Sequence, residues 1–146
     1  MKKKILLGLL VIIIAMQLYR PAKNISTEIP TTDFLVVNNA PENIATMFKG
    51  ACYDCHSNNT VYPWYAEVAP VSWWIANHVD EGKEHLNFST WSEYTDKRKE
   101  KKLDHIDETV QKREMPLKTY VPMHPEAKLT DEQIKQLTDW VKTLQN

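Results

Sequence analysis

Both cysteines of this 146-residue chain lie in one short stretch, Cys52–His56, with the sequence CYDCH. Two cysteines cannot form a disulfide-rich scaffold or a zinc site with four thiolate ligands, so both of these classes are excluded. The charges are nearly balanced, with 18 Lys and Arg against 19 Asp and Glu, and they give no reason to expect nucleic-acid binding. The chain is long enough for a single domain. Its most informative feature for function is this motif.

The CYDCH motif has the spacing of a covalent haem-attachment site. Two thiols separated by two residues can add to the two vinyl groups of haem, and the imidazole that follows can bind the iron. This interpretation predicts one covalent haem c, attached at Cys52 and Cys55, with His56 as an axial ligand of the iron. Because haem c is attached outside the bacterial cytoplasm, it also predicts an exported protein.

Three other interpretations of the motif are weaker. A thioredoxin-like redox pair follows a β-strand, whereas an amphipathic helix is predicted before Cys52. A disulfide across two residues would close almost no loop and would constrain the unfolded chain little. Zinc could bind both thiols and two more histidines, but no pair of the candidates has the spacing of a familiar zinc site. These candidates are His78, His85, His105 and His124.

The N-terminus has the pattern of an export signal. Lys2–Lys4 precede an almost unbroken apolar run, Ile5–Leu18, which would be about 21 Å long as a helix and so shorter than the roughly 30 Å hydrocarbon core of a bilayer. No pair of small residues marks a cleavage site, and Lys4 and Arg20 can extend toward the two interfaces. We therefore expect residues 1–20 to form an uncleaved, single-pass anchor that contacts lipid in the cytoplasmic membrane, with the rest in the periplasm.

Residues 21–39 are rich in Pro, Thr and Asn and contain one short apolar patch, Phe34–Val37, without a sustained period. We expect them to form an extended tether. The haem-binding domain is then predicted over residues 40–146, where Pro and Gly separate segments with helical periodicity and no alternating strand pattern occurs. The predicted fold class is therefore all-α.

Five helices are predicted in this domain. The first begins at Pro41, and the second runs from Ser72 to Glu81 with Gly82 as its C-terminal cap. The third begins near Ser89 or Thr90, and the fourth runs from Lys97 to Lys112. The fifth begins at a capping box of Thr130 and Gln133. The buried faces of the first, fourth and fifth are predicted from spacings of three and four. They comprise Ile44, Met47, Phe48 and Ala51; Leu103, Ile106 and Val110; and Ile134, Leu137, Trp140, Val141 and Leu144.

His56 serves one side of the iron, and the usual second ligand is a thioether or an imidazole. Met115 precedes Pro116, which disfavours the helical conformation at Met115 and would end the fourth helix there, so that the side chain lies on a loop. We predict Met115 as the distal ligand. Met123, His124 and His78, the last on an otherwise apolar helix face, are the alternatives.

Four aromatic residues follow the motif within a short distance along the chain. Each ring can bury about 150–250 Å² and can offer a polar group to a haem propionate. We predict Trp73 and Trp74 as haem contacts, with Trp64 and Tyr65 in the same apolar wall. A purely structural role in the core is compatible with this prediction, because one haem would form much of the core of so small a domain.

CYDCH followed by SNNTVYPWY, then APVSWW, HVDEGKEHLNFSTW and EMPLKTYVPMHPEAKLT, resembles the bacterial haem-binding domain family common in Bacteroidetes, a branch of the cytochrome c superfamily. The resemblance covers about residues 40–146 and the N-terminal anchor. It implies a cytochrome c-like helical fold, haem attached at Cys52 and Cys55, His56 as proximal ligand and Met115 as distal ligand. Electron transfer is implied only by analogy with the superfamily.

These observations favour a membrane-anchored monohaem c-type cytochrome that carries single electrons on the outer face of the cytoplasmic membrane between redox partner proteins. Two filled axial positions would leave no site for a substrate, so we expect no enzymatic activity. The alternative is a haem-based sensor or gas-binding module with a displaceable distal ligand. A haem enzyme such as a peroxidase would also need an open iron.

Overall fold

A computed structural model describes residues 1–26 and 28–145, and these residues form helices and turns without β-strands. The prediction of an all-α fold is confirmed. The α-helices are α1 (Lys2–Met16), α2 (Phe34–Val37), α3 (Glu42–Ala51), α4 (Tyr53–His56), α5 (Val71–His85), α6 (Asp96–Gln111) and α7 (Asp131–Thr143). Short 3₁₀ turns cover Trp64–Glu67, Phe88–Glu93, Val121–Met123 and Pro125–Ala127.

The core is a cluster of aromatic rings enclosed by α2, α3, α7 and the Phe88–Glu93 turn. Phe34 lies at its centre, with ring centroids 5.2 Å from Phe48, 5.1 Å from Phe88, 4.7 Å from Trp91 and 5.4 Å from Trp140. Most of these rings meet edge to face, the arrangement that the charge distribution of aromatic rings favours. The predicted face of α3 is confirmed, since Ile44, Met47, Phe48 and Ala51 are all buried.

The packed domain begins earlier than residue 40, so the domain boundary needs a correction. Asp33 caps α2 by accepting a hydrogen bond from the Leu35 backbone N–H at 2.9 Å, and Phe34 has no exposed surface. Residues 33–35 therefore belong to the core and not to a free tether. A helix of four residues is too short to show a helical period in the sequence.

The amphipathic helices α6 and α7 pack against each other, and their limits match the predictions closely. The capping box at α7 is confirmed: the Gln133 N–H donates to the Thr130 side chain at 3.2 Å, and the Thr130 N–H donates to the Gln133 side chain at 2.9 Å. Leu103, Ile106 and Val110 of α6 are buried, as are Leu137 and Val141 of α7. The other predicted members of the α7 face, Ile134, Trp140 and Leu144, are half-buried against the same core.

Two helices differ from their predicted limits. Helix α5 continues through Gly82 to His85, so Gly82 is not a C-terminal cap. The segment after Asn87 forms a short 3₁₀ turn with a kink at Thr90 and not a regular helix.

The apolar helix α1 has no buried residue. Its side chains from Lys2 to Ala15 are all exposed. Among the helices within residues 1–26 and 28–145, none is both long and apolar enough to cross a membrane. The single-pass anchor therefore stays a prediction.

Candidate haem site

The imidazole of His56 is held by the backbone of α5. Its Nδ1 lies 2.9 Å from the carbonyl oxygen of Gly82 and 3.0 Å from that of Leu86. Both partners can only accept, so Nδ1 carries the proton and donates to them, and Nε2 keeps its lone pair. Burial lowers the pKa of His56 despite the opposing effect of these two hydrogen bonds. The side chain is therefore a neutral imidazole with one nitrogen available, as a metal ligand must be.

Gly82 allows α5 to approach the motif closely enough for this contact. A Cβ atom at residue 82 would lie 2.5 Å from the carbonyl oxygen of Cys55, which is a backbone atom and cannot move aside cheaply. The glycine is thus required by the packing of α5 on α4. A sequence rule that assigns glycine to helix ends could not detect this, because the contact joins segments far apart in the chain.

The thiols of Cys52 and Cys55 are not joined in a disulfide and lie on the turn between α3 and α4 and within α4. Burial raises the pKa of Cys52 to about 12, with a smaller contribution from Cys55. Burial and then the charge of Asp54 raise the pKa of Cys55 to about 11. Both thiols are therefore neutral at neutral pH, which disfavours a thioredoxin-like redox pair with its low-pKa thiolate.

The donors of a zinc site are not brought together. Within the described ranges, no group of three or more His, Cys, Asp or Glu side chains could hold a metal ion. The structure therefore does not assemble the four-ligand zinc site that we considered as an alternative.

The two central residues of the motif connect it to different parts of the chain. The hydroxyl of Tyr53 donates to Asp33 at 2.8 Å, and its ring stacks on Phe88. The carboxylate of Asp54 accepts from the hydroxyl of Tyr120 at 2.7 Å and from the backbone N–H of Val61 at 3.0 Å. Asp33 and Tyr120 were not predicted as site residues, because nothing near them in the sequence indicates these long-range contacts.

The polar contacts continue from Tyr120 to His124. The two rings are stacked with centroids 3.9 Å apart. The Nε2 atom of His124 lies 2.8 Å from the hydroxyl of Tyr65, and its Nδ1 lies 3.2 Å from a carboxylate oxygen of Glu126. Both ring nitrogens of His124 thus have partners within the protein.

Met115 lies on the loop after α6 and is partly buried. The prediction that it is on a loop is confirmed, but the predicted cause is wrong. The helix ends at Gln111, and the chain turns at Arg113, whose φ of 56° is in the left-handed region. The backbone N–H of Met115 donates to the Thr109 carbonyl at 3.3 Å. The role of Met115 as an iron ligand stays a prediction.

The remaining candidates have partners elsewhere or are exposed. Met123 is exposed. His78 donates from Nδ1 to the carbonyl oxygen of Trp74 at 2.9 Å and packs against the Trp74 ring. The indole N–H of Trp73 donates to the carbonyl oxygen of Tyr19 at 3.0 Å, so this side chain contacts the N-terminal segment. Haem contacts by Trp73 and Trp74 stay predictions.

The loop after the motif is also fixed to the N-terminal segment. The side-chain amide of Asn24 donates to the carbonyl oxygen of Ser57 at 2.7 Å and to the Thr60 hydroxyl at 2.9 Å. The Thr60 N–H in turn donates to the Asn24 carbonyl at 2.9 Å. This part of the predicted tether is therefore attached to the motif loop and does not hang free.

The chain matches the family described as Haem-binding domain over residues 11–143. It belongs to this family, and it is a haem-binding protein. No curated protein matches the chain, and no solved structure matches it. The chemistry of Cys52–His56 fits the family: two neutral thiols and one neutral imidazole with a free nitrogen lie on a single turn.

Proposed function

We propose that this haem-binding protein is a monohaem c-type cytochrome with a cytochrome c-like fold, and that it carries single electrons. The observation that supports this most strongly is the geometry of His56, whose Nδ1 is committed to two carbonyl oxygens while Nε2 stays free. The two neutral thiols of the same turn are the groups that a covalent attachment consumes. Bound haem would supply an iron that alternates between the ferrous and ferric states.

Each residue of the motif has a separate proposed role in binding the haem. Cys52 and Cys55 would hold it through thioether bonds, and His56 would bind one axial position. The hydrogen bonds from His56 to α5 fix the orientation of the imidazole and increase its basicity as a ligand. Tyr53 and Asp54 keep the turn in place through their bonds to Asp33 and Tyr120.

We propose Met115 as the second axial ligand. It is partly buried on a loop, whereas Met123 is exposed and both ring nitrogens of His124 have partners. A thioether opposite an imidazole gives a higher reduction potential than two imidazoles. With both axial positions filled by the protein, the iron would exchange electrons without binding a substrate, so the proposed role is a carrier and not an enzyme.

The proposed location is the outer face of the cytoplasmic membrane. The support is α1, whose apolar side chains are exposed and follow Lys2–Lys4. Lysines at this end favour retention of the N-terminus in the cytoplasm, which would leave the haem domain in the periplasm. The redox partners would then be proteins of the membrane or the periplasm.

Carbon monoxide and the ferric spectrum test the carrier function together. We expect the ferrous protein to resist carbon monoxide and the ferric protein to show the weak sulfur-to-iron absorption band. Met115→Ala should remove the band and allow carbon monoxide to bind, and the matched Met123→Ala should change neither. A band that persists in Met115→Ala would reject this ligand. Rapid, stoichiometric binding of carbon monoxide by the unmodified protein would favour a haem-based sensor or gas-binding module.

A further inference from the structure

Residues 61–74 carry several large apolar side chains that are exposed and lie outside the aromatic core. Trp64 is 78% exposed and Val61 is 73% exposed. Three more large side chains of the same segment are exposed to a lesser degree, namely Val68, Val71 and Trp74. We call these five side chains the 61–74 face. Large exposed apolar side chains that are concentrated in one short segment indicate an interaction surface.

The segment that carries the 61–74 face contacts the end of α1. The side-chain amide of Gln17, the residue that ends the helix, donates to the carbonyl oxygen of Ala69 at 3.2 Å and accepts from the Ala69 N–H at 3.0 Å. Two residues further on, the ring of Tyr19 contacts the ring of Trp73, with centroids 5.9 Å apart. Ion pairs from Arg20 and Lys23 to Glu67 extend the same contact. Wherever the end of α1 is held, residues 67–73 and the segment that carries the 61–74 face must be close by.

The length of α1 indicates which environment this is. Its 15 residues extend over about 22 Å, whereas a hydrocarbon core is roughly 30 Å thick. A short apolar segment is accommodated when the bilayer thins and when flanking residues enter the interface. Tryptophan and tyrosine prefer this interface. Leu18 and Tyr19 are exposed directly after α1, and Trp64 is exposed in the segment that contacts the end of α1.

We propose that the 61–74 face rests in the phospholipid headgroup region of the membrane that holds α1. The haem domain then lies against the lipid surface, in an orientation fixed by Gln17, Tyr19 and Asn24, and does not swing on a flexible tether. This inference rests on the proposed membrane anchor.

Photo-crosslinking to lipid tests this inference on the full chain with its haem. The protein is reconstituted into vesicles of phosphatidylethanolamine and phosphatidylglycerol that contain a trace of phospholipid with a diazirine near the headgroup. After irradiation, peptide mass spectrometry locates the crosslinks. We expect crosslinks on α1 and on residues 61–74, and none on the charged surface of α6 or on the exposed Val36 and Val37 of α2.

Two double variants sharpen the result. Val61→Ser with Trp64→Ser should reduce crosslinking of residues 61–74 several-fold and leave that of α1 unchanged. The control, Val36→Ser with Val37→Ser, should change neither. Crosslinks on α1 without crosslinks on residues 61–74 in the unmodified protein would overturn the docking and leave the anchor intact. Crosslinks on neither segment would overturn the anchor and the docking with it.

Discussion

The two sides of the candidate haem site are built in different ways. On the side of His56, the ligand is held by two backbone carbonyl oxygens of α5 and of its C-terminal residue Leu86. Residues 112–126, which contain the proposed second ligand Met115, form a loop with short 3₁₀ turns, and a side-chain hydrogen bond from Tyr120 to Asp54 connects this loop to the motif. Helix backbone is rigid, whereas loops held by side chains open locally at a lower cost in free energy.

This difference predicts that the proposed ligand His56 is held more firmly than the proposed ligand Met115. The proximal imidazole cannot turn without loss of two hydrogen bonds to a packed helix. The loop that carries the proposed ligand Met115 is joined to the motif through the Tyr120 hydroxyl, so we expect loss of this hydroxyl to loosen it. We therefore expect changes near α5 to affect folding and haem retention, and changes near Tyr120 to affect mainly the second axial ligand.

The largest effect is expected for Gly82→Ala. Alanine favours a helix interior by up to about 1 kcal/mol over glycine, but here its Cβ would lie 2.5 Å from the Cys55 carbonyl oxygen. Overpacking against backbone should lower the free energy of unfolding by about 3 kcal/mol, the upper end of the usual range. Urea unfolding and the haem content of the purified protein measure the result.

Gly50→Ala is the matched control, because Gly50 is also within a helix and its Cβ would lie at an ordinary 3.6 Å from the Glu126 carbonyl oxygen. This variant should be unchanged or slightly more stable. Equal stability of the two variants would contradict the close contact between α5 and the motif.

An intermediate effect is expected for Tyr120→Phe and Tyr53→Phe. Each removes a hydroxyl that donates to a carboxylate, at 2.7 Å for Tyr120 and at 2.8 Å for Tyr53, and each should cost about 1–2 kcal/mol of stability. Only Tyr120→Phe should also weaken the sulfur-to-iron band and speed the binding of carbon monoxide. The same spectra from both variants would remove the distinction between the two sides.

The smallest effect is the dependence of stability on alkaline pH. Burial and the hydrogen bond to Asp54 raise the pKa of Tyr120 above its ordinary value of 10.0. The unfolded chain therefore loses this proton at a lower pH than the folded chain, and the free energy of unfolding falls as the pH rises above about 10. In urea unfolding measured below and above about pH 10, the free energy of unfolding of Tyr120→Phe should fall less steeply above this pH. An unchanged slope would show that Tyr120 does not contribute.

Local signals in the sequence predicted the elements that local chemistry determines. The capping box of Thr130 and Gln133, the buried face of α3 and the charged surface of α6 all follow from spacing within one segment. The CYDCH motif likewise indicated the haem without any knowledge of the fold, and membership of the haem-binding family agrees with it.

Long-range contacts were beyond the same reasoning. Phe34 is at the centre of the core, yet it stands in a segment without a period. Gly82 serves a close approach to Cys55 and not a helix end. Asp33 and Tyr120 hold the motif from segments far away in the chain. In each case the cause is a tertiary contact that residue spacing does not encode.

The most direct test of the central claim is the intact mass of the full chain, expressed with a haem-attachment system, together with its absorbance spectrum. We predict the 17.0 kDa polypeptide with the added mass of one haem that survives denaturation, and a sharp c-type α band after reduction. Replacement of both Cys52 and Cys55 by alanine should abolish the added mass. A colourless product with the mass of the bare polypeptide would contradict the assignment of Cys52–His56 as the haem-attachment site.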